Sequence, residues 1–223
     1  MMKFSRCVIL LSLIVAYGTA KPSKVNENLG KDQYLAKAKQ QITEKFQFPS
    51  FCNGVECPKY HLVKKYSGFE HRQYDATQWI STPVTLDGEG ISIHYKHLLQ
   101  YISGFNSAGV HLSITAPVLI MIQLGKDNPE NNTMSIFLSA NLKDPPMPSN
   151  PIVSLQSYPK ASLYVRSFDG YALAEDYRKH IEALTEQLTA LGLDFNKSFF
   201  ACNIYDPPTK LTNRHNEVWV VAA

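Results

Sequence analysis

What this chain lacks narrows its function more than what it contains. No nucleophile elbow, metalloprotease helix, phosphate-binding loop or dinucleotide glycine fingerprint occurs in it. Gly88-Glu89-Gly90 wants a third glycine and reads as a loop ahead of a helix. Acidic residues are scattered, with no pair at the spacing that acid–base catalysis needs. The expectation is a protein that is not an enzyme. Charge of one sign is scarce as well: 22 Lys and Arg stand against 19 Asp and Glu. Nucleic-acid affinity rests on clustered contacts between cations and phosphates. The short Lys64-Lys65 and Lys37-Ala38-Lys39 runs supply no such cluster, so no nucleic-acid partner is expected. Beyond the first twenty residues no apolar stretch approaches the ~20 residues of a spanning helix, which argues against stable membrane insertion.

Those first twenty residues have a layout of their own. Lys3 and Arg6 form a basic start, Val8 to Ala16 an apolar run too short to cross a bilayer, and Gly18-Thr19-Ala20 a small-residue exit. This is the pattern of a cleavable secretory signal over residues 1–20, so a secreted, extracellular protein starting near Lys21 is expected. Cysteine is rare, and Cys7 leaves with the signal. Cys52 and Cys57 enclose the turn-forming pair Asn53-Gly54, and in an oxidising compartment a local disulfide between them is the economical reading. No second pair completes a zinc site. Cys202, inside Phe199-Phe200-Ala201-Cys202, reads as a buried, inert thiol. Asn131-Asn132-Thr133 and Asn196-Lys197-Ser198 are glycosylation acceptor tripeptides, and secretion makes Asn131 and Asn196 candidate sites.

Residues 21–58 read as an N-terminal arm. It holds an amphipathic tract from Asp32 to Phe46 and then the cysteine turn. The domain proper, 59–223, alternates two kinds of period. Strand-like runs cover Tyr60 to Tyr66, Phe69 to Tyr74 and Gln78 to Val84. Helical spacing follows from Ile93 to Ile102 and ends near Gly104. Strand signals return at His111 to Gln123 and Thr133 to Ser139. After the proline-rich linker 144–151 the order repeats: strands at Ile152 to Ser157 and Ala161 to Phe168, then a helix from Tyr171 to Leu191. The helix carries Leu173, Tyr177, Ile181, Leu184, Leu188 and Leu191 on one stripe. Strands at Ser198 to Tyr205 and Glu217 to Val221 finish the chain. A strand-strand-helix-strand-strand unit thus occurs twice, as a repeat of pattern rather than of residues. Two such units can merge into one curved, barrel-like antiparallel sheet without exposed edges, an α+β fold with a helix from each half against it. The gap between helix and sheet is a natural apolar cleft.

Candidate site residues are few. His94 and His97, three apart on the first helix, could share a metal, or one could be exposed and the other line the cleft. His71 shares a strand face with Phe69 and Gln73. His111, His180 and His215 read as surface or locally hydrogen-bonded residues. With 12 Tyr, 11 Phe and 2 Trp the default is aromatic core packing, yet such walls also suit a flat hydrophobic ligand with an anionic edge held by Lys or Arg.

Several stretches, taken in order, resemble the SOUL/heme-binding protein family. They are Tyr60-His61-Leu62-Val63 with Phe69-Glu70-His71-Arg72-Gln73-Tyr74, Trp79-Ile80-Ser81-Thr82, and Tyr101-Ile102-Ser103-Gly104-Phe105-Asn106. Ile114-Thr115-Ala116-Pro117-Val118, Tyr164-Val165-Arg166-Ser167-Phe168-Asp169-Gly170 and the closing Asn216-Glu217-Val218-Trp219 follow. The resemblance implies a distorted antiparallel β-barrel built from a duplicated unit and flanked by two α-helices. It implies non-covalent binding of heme or another tetrapyrrole in an apolar cleft beside the first helix. The cleft positions would fall on Ser92, Tyr95 and Leu99 and a basic rim position on Lys210; heme lying there would also pack on Leu98, with Lys210 and Arg214 facing its propionates. A histidine proposed as iron ligand in part of the family falls on Gln73 here, which leaves His71, two residues away, as the substitute. Methionine and arginine of some relatives are replaced by Tyr95 and Ser92. The rival expectation is a secreted interaction module that keeps the fold, has lost heme and recognises a protein partner.

Overall fold

The computed structural model describes residues 48–124 and 131–223. The signal segment and the amphipathic tract at 32–46 lie outside them. Nine strands follow one another as β1 (Tyr60–Lys65), β2 (Glu70–Tyr74), β3 (Thr77–Pro83), β4 (Val118–Gln123), β5 (Thr133–Leu138), β6 (Ser154–Tyr158), β7 (Ala161–Asp169), β8 (Phe199–Ile204) and β9 (His215–Val221). Helix α1 (Gly88–Ile102) enters between β3 and β4, and α2 (Ala174–Ala190) between β7 and β8. All the strands join one antiparallel sheet in the order β1-β2-β7-β9-β8-β4-β5-β3-β6, curled as a half-barrel. The expected α+β class and duplicated architecture are present. The expected closure is not: β1 and β6 remain as outer strands.

The strand order reads the same from either end of the eight strands β2 to β6, once the halves are exchanged. β4 pairs with β8 at the centre, β5 and β9 flank them, and β3 and β7 come next. The outermost repeat strands are traded: β2 of the first half pairs with β7 of the second, and β6 of the second pairs with β3 of the first. Strand β1 is an addition outside the repeat. Its register slips at a bulge between Leu62 and Lys64. Strand β6 is regular along its length and sits between Pro151 and Pro159.

Alternation along each strand divides the side chains between two faces. On one face Ile80, Ile120, Ile136, Phe200, Val218 and their neighbours form the main core with both helices. On the face away from the helices Tyr74, Trp79, Phe137, Val165 and Trp219 form a second cluster. A third and smaller cluster gathers Cys52, Cys57, Ala116 and Tyr205 under the disulfide turn. Cys202 is buried as expected.

Several boundaries moved for physical reasons. Gly88-Glu89-Gly90 is not a loop but the first turn of α1. Asp87 caps it by accepting the Gly90 N–H at 2.6 Å. A side chain at Gly90 would meet Thr85 Oγ1 at 1.9 Å, so the glycine permits a close approach rather than a loop. The strand expected from His111 begins only at Val118, because Ala116 donates its N–H to Glu56 and Pro117 has none to give. In α2 the inner stripe is Tyr177, Ile181, Leu184 and Leu188. Leu173 and Leu191 are its caps and stay about half exposed, at 51% and 54%. Asp176 accepts the Leu173 N–H at 2.8 Å and fixes the helix start.

Leu184 is fully buried between α2 and the sheet. Leu184→Ala strips away its packing and leaves a cavity, which is expected to lower stability by about 3 kcal/mol, read as a lower urea midpoint with an unchanged slope.

Candidate functional site

The site begins with the two flanks of α1. At 100° per residue, Ser92, Tyr95 and Leu99 lie on one side of the inward-facing line of Ile91, Leu98 and Ile102, and His94, His97 and Tyr101 on the other. The second flank faces the outer part of the sheet: His94 Nδ1 lies 3.4 Å from Thr82 Oγ1 on β3, and the Tyr101 hydroxyl donates to the Pro146 carbonyl at 2.7 Å. The first flank therefore turns towards β5 and β4. Helix α1 packs on β3 and β5, and α2 packs on β7 and β9. The central pair β4–β8 runs between the helices. The half-buried Tyr95 and Leu99 of α1 and Val118 and Ile122 of β4 all pack against the main core. Burial pushes the Tyr95 hydroxyl pKa upward, so it stays protonated at neutral pH.

The expected site residues divide accordingly. Ser92, Tyr95 and Leu99 share one flank of α1, with Ser92 exposed and the other two half-buried. Leu98 lies beneath them with no exposed surface, part of the floor rather than the wall. Lys210 sits in the loop between β8 and β9, where its ammonium reaches Asp206 Oδ1 at 2.6 Å and Asn53 Oδ1 at 3.0 Å. Burial acts to raise the Asp206 pKa, but Lys210, the His215 amide and Asn53 outweigh it and hold the carboxyl below its usual range. Arg214 is only 6% exposed. It donates to the carbonyls of Pro207, Lys210 and Asp206, and its guanidinium lies over Tyr171. Both cations thus hold the loop together. His71 Nε2 lies 2.6 Å from Ser162 Oγ, and its ring lies against Tyr164. Four strands separate β2 from β5, roughly 24 Å along the sheet at the usual strand spacing. The structure does not bring His71 to α1.

Other chemistry is thin. Among the described residues no three His, Cys, Asp or Glu side chains gather as a metal site. His94 and His97 form a pair only, ring to ring at 5.8 Å. Desolvation, aided by His97, depresses the His94 pKa. An open hollow of about 380 Å³ lies at the end of α1 between Gln100, Ser103, Gly104 and Phe105, and another of about 390 Å³ lies on α2. Neither is at Tyr95. Among the described residues no helix is long and apolar enough to cross a membrane.

Sequence reasoning missed the polar centre of the face away from the helices. In lateral register across β3, β5, β4, β8 and β9 run Ser81, Ser135, Leu119, Asn203 and Glu217. Glu217 has no exposed surface and accepts five hydrogen bonds. Arg72, Ser167 and His215 reach Oε1 at 2.9, 3.2 and 2.9 Å, and Tyr205 and Trp219 reach Oε2 at 2.8 and 2.7 Å. Arg72 also bonds Glu70 and lies over Tyr60. The disulfide turn closes this end: Phe51 stacks on the His215 ring at 4.0 Å, and the expected Cys52–Cys57 bond is formed. A clue was present in the sequence, a Glu placed in a run otherwise fit for burial.

This geometry defines the class, a duplicated α+β half-barrel with one helix of each half against its sheet. Residues 55–221 match the family model described as SOUL heme-binding protein. The chain belongs to the SOUL heme-binding protein family. It is 32% identical over 158 residues to heme-binding protein 2 of Mus musculus, covering 69% of this chain and 77% of that one. It is 30% identical over 187 residues to heme-binding protein 1 of Xenopus laevis, covering 77% and 95%. Among solved structures, the EcmrR C-terminal domain is similar with a TM-score of 0.50 at 10% identity, covering 74% of this chain and 98% of that one, a likeness of fold alone.

Burial works to raise the Glu217 carboxyl pKa, but Arg72, His215 and Tyr205 overcome it and lower the value from 4.5 to about 2. The folded pKa lies below the unfolded one, so the unfolded chain binds the extra proton first as pH falls. The stabilisation is full above pH 4.5 and lost progressively towards pH 2. Glu217→Gln leaves Arg72 without its buried counter-charge. It is expected to cost about 3–5 kcal/mol and to flatten the acid limb of a stability–pH profile measured by urea denaturation.

Proposed function

We propose that this chain is a secreted, non-enzymatic protein that binds heme, or a related tetrapyrrole, without covalent attachment in the groove between α1 and the β4–β8 pair. The observation that carries the reading is the α1 flank. Tyr95 and Leu99 stand half-buried against the main core, on a chain that belongs to a family of heme-binding proteins. Heme supplies a flat apolar macrocycle, an electrophilic iron at its centre and two propionates at one edge. The residues present fit the macrocycle: aromatic and aliphatic walls on α1 and β4, with the serine hydroxyl of Ser92 at the rim. Lys210 could serve the propionates only by sharing the ammonium that now bonds Asp206 and Asn53. Arg214 would have to leave three carbonyls, so Lys210 is the better candidate. Micromolar affinity corresponds to about −8 kcal/mol, within reach of apolar burial and one charge-assisted contact.

A protein partner is the second reading, and one surface favours it. Phe105, Val110, Ile114 and Met147 are exposed near the C-terminal end of α1, with Phe105 and Met147 on neighbouring segments joined at Asn106 and Pro148.

Titrating the chain with ferric heme should produce a saturable Soret change at micromolar protein. Leu99→Asp should weaken binding by about ten-fold or more, because it puts a carboxylate that must be desolvated where the groove has an apolar wall. Substitution of the 78% exposed Leu211 should not. No saturable change would overturn the heme reading, and affinity capture of a protein through the Phe105–Met147 surface would then support the other.

Secretion and glycosylation are tested together. Asn131 is exposed, and Asn196 holds the Ser198 N–H in a local turn with its side chain part-exposed. Expressed in eukaryotic cells, the chain should appear in the medium without residues 1–20. Glycosidase treatment should lower its apparent mass, and Asn131→Gln with Asn196→Gln together should abolish that shift. Retention in the cytosol with the N-terminus intact would refute the assignment.

A further inference from the structure

We propose that His94 and His97 form a two-histidine site for a borderline divalent cation of the zinc class, on the flank of α1 away from Tyr95. The site does not depend on heme. The two rings belong to successive turns of α1 and meet edge to face, at 86°, with centroids 5.8 Å apart. A tetrahedral cation about 2.1 Å from one nitrogen of each ring would hold the centroids roughly 5 Å apart. The rings therefore stand within about 1 Å of a shared ligand geometry before any cation arrives.

Each ring carries its own sign of that role. His97 Nδ1 is buried and has no hydrogen-bond partner among the described residues. Buried polar atoms are almost always paired, and a cation bonded to this nitrogen would pair it. His94 Nδ1 lies 3.4 Å from Thr82 Oγ1 on β3, and Thr82 is only 1% exposed. With the ring proton on Nδ1 and the Thr82 oxygen accepting from it, His94 Nε2 keeps a bare lone pair. The ring is then held in one orientation, the support that metal-binding histidines draw from a neighbour. Desolvation, with His97 adding to it, depresses the His94 pKa against the opposing pull of Asp87. The His94 ring is therefore neutral at neutral pH, the form that ligates.

The donors select the cation. Imidazole suits Zn²⁺, Ni²⁺ and Cu²⁺, whereas Mg²⁺ and Ca²⁺ take oxygen ligands. No third His, Cys, Asp or Glu joins the pair among the described residues, so water fills the remaining positions. Such an open site exchanges its cation with solution, unlike the closed four-ligand sites of structural zinc.

The test titrates the heme-free chain with Zn²⁺ against a chromogenic chelator, beside His94→Gln, His97→Gln and, as a control, His111→Gln. His111 is exposed in the loop after α1. The native and His111→Gln chains should bind about one equivalent alike, and the other two variants about ten-fold or more weaker. Footprinting of the native chain with diethyl pyrocarbonate, read by mass spectrometry, needs no variant. Zn²⁺ should protect His94 and His97 and leave His111 reactive. Unchanged affinity in His94→Gln or His97→Gln, or an equal loss in His111→Gln, would mean adventitious surface binding only and overturn the site. Identical footprints with and without Zn²⁺ would overturn it too, and leave His97 Nδ1 to an ordered water.

Discussion

Everything in this fold depends on the trading of β2 and β6 between its halves. Neither half is a complete sheet, since each hands one strand to the other and meets it again across the β4–β8 centre. The helices are consequences of that arrangement. Each lies over two strands of its own half, α1 on β3 and β5 and α2 on β7 and β9. The strip between them is where the two halves meet at the middle of the sheet. The groove proposed there would be a product of duplication, with walls that differ because the two helices have different sequences.

The two faces of the sheet have been put to different uses. The helix side is apolar and makes the core. The opposite side carries a buried ion pair whose carboxylate is saturated by donors from β2, β7, β9 and the β8–β9 loop. Charges this deep are stabilising only when every lone pair is met, and here the donors come from distant parts of the chain. The symmetry-related positions across the centre are Ser135 for Glu217 and Leu119 for Asn203. One half therefore holds the charge and the other the helix flank proposed for the ligand.

Most of the architecture was legible because it follows from period. Alternation marked β2, β3, β5, β7 and β9, and the spacing of Tyr177, Ile181, Leu184 and Leu188 marked α2. What escaped was set by contacts between distant segments. Gly90 looked like a loop glycine, and only the closeness of Thr85 shows why it begins a helix. The run from His111 looked like a strand, but its backbone is committed to Glu56. Site residues fared the same way. Ser92, Tyr95 and Leu99 lie on one helix, so their common flank follows from local geometry. His71, Lys210 and Arg214 lie on other elements, and their place depends on strand order and loop bonds that no local pattern encodes.

The unclosed rim has a consequence for the chain's behaviour in company. A bare strand edge invites other strands to add to it, and natural sheets blunt that tendency. The first edge is guarded in the usual way, by the bulge in β1 and by Lys64 and Lys65. The last edge has no charge and no bulge. It is guarded by brevity, because Pro151 and Pro159 bracket it and β6 covers only Ser154–Tyr158. So short a strand offers an intruder few backbone groups to pair with, which limits what this edge can recruit.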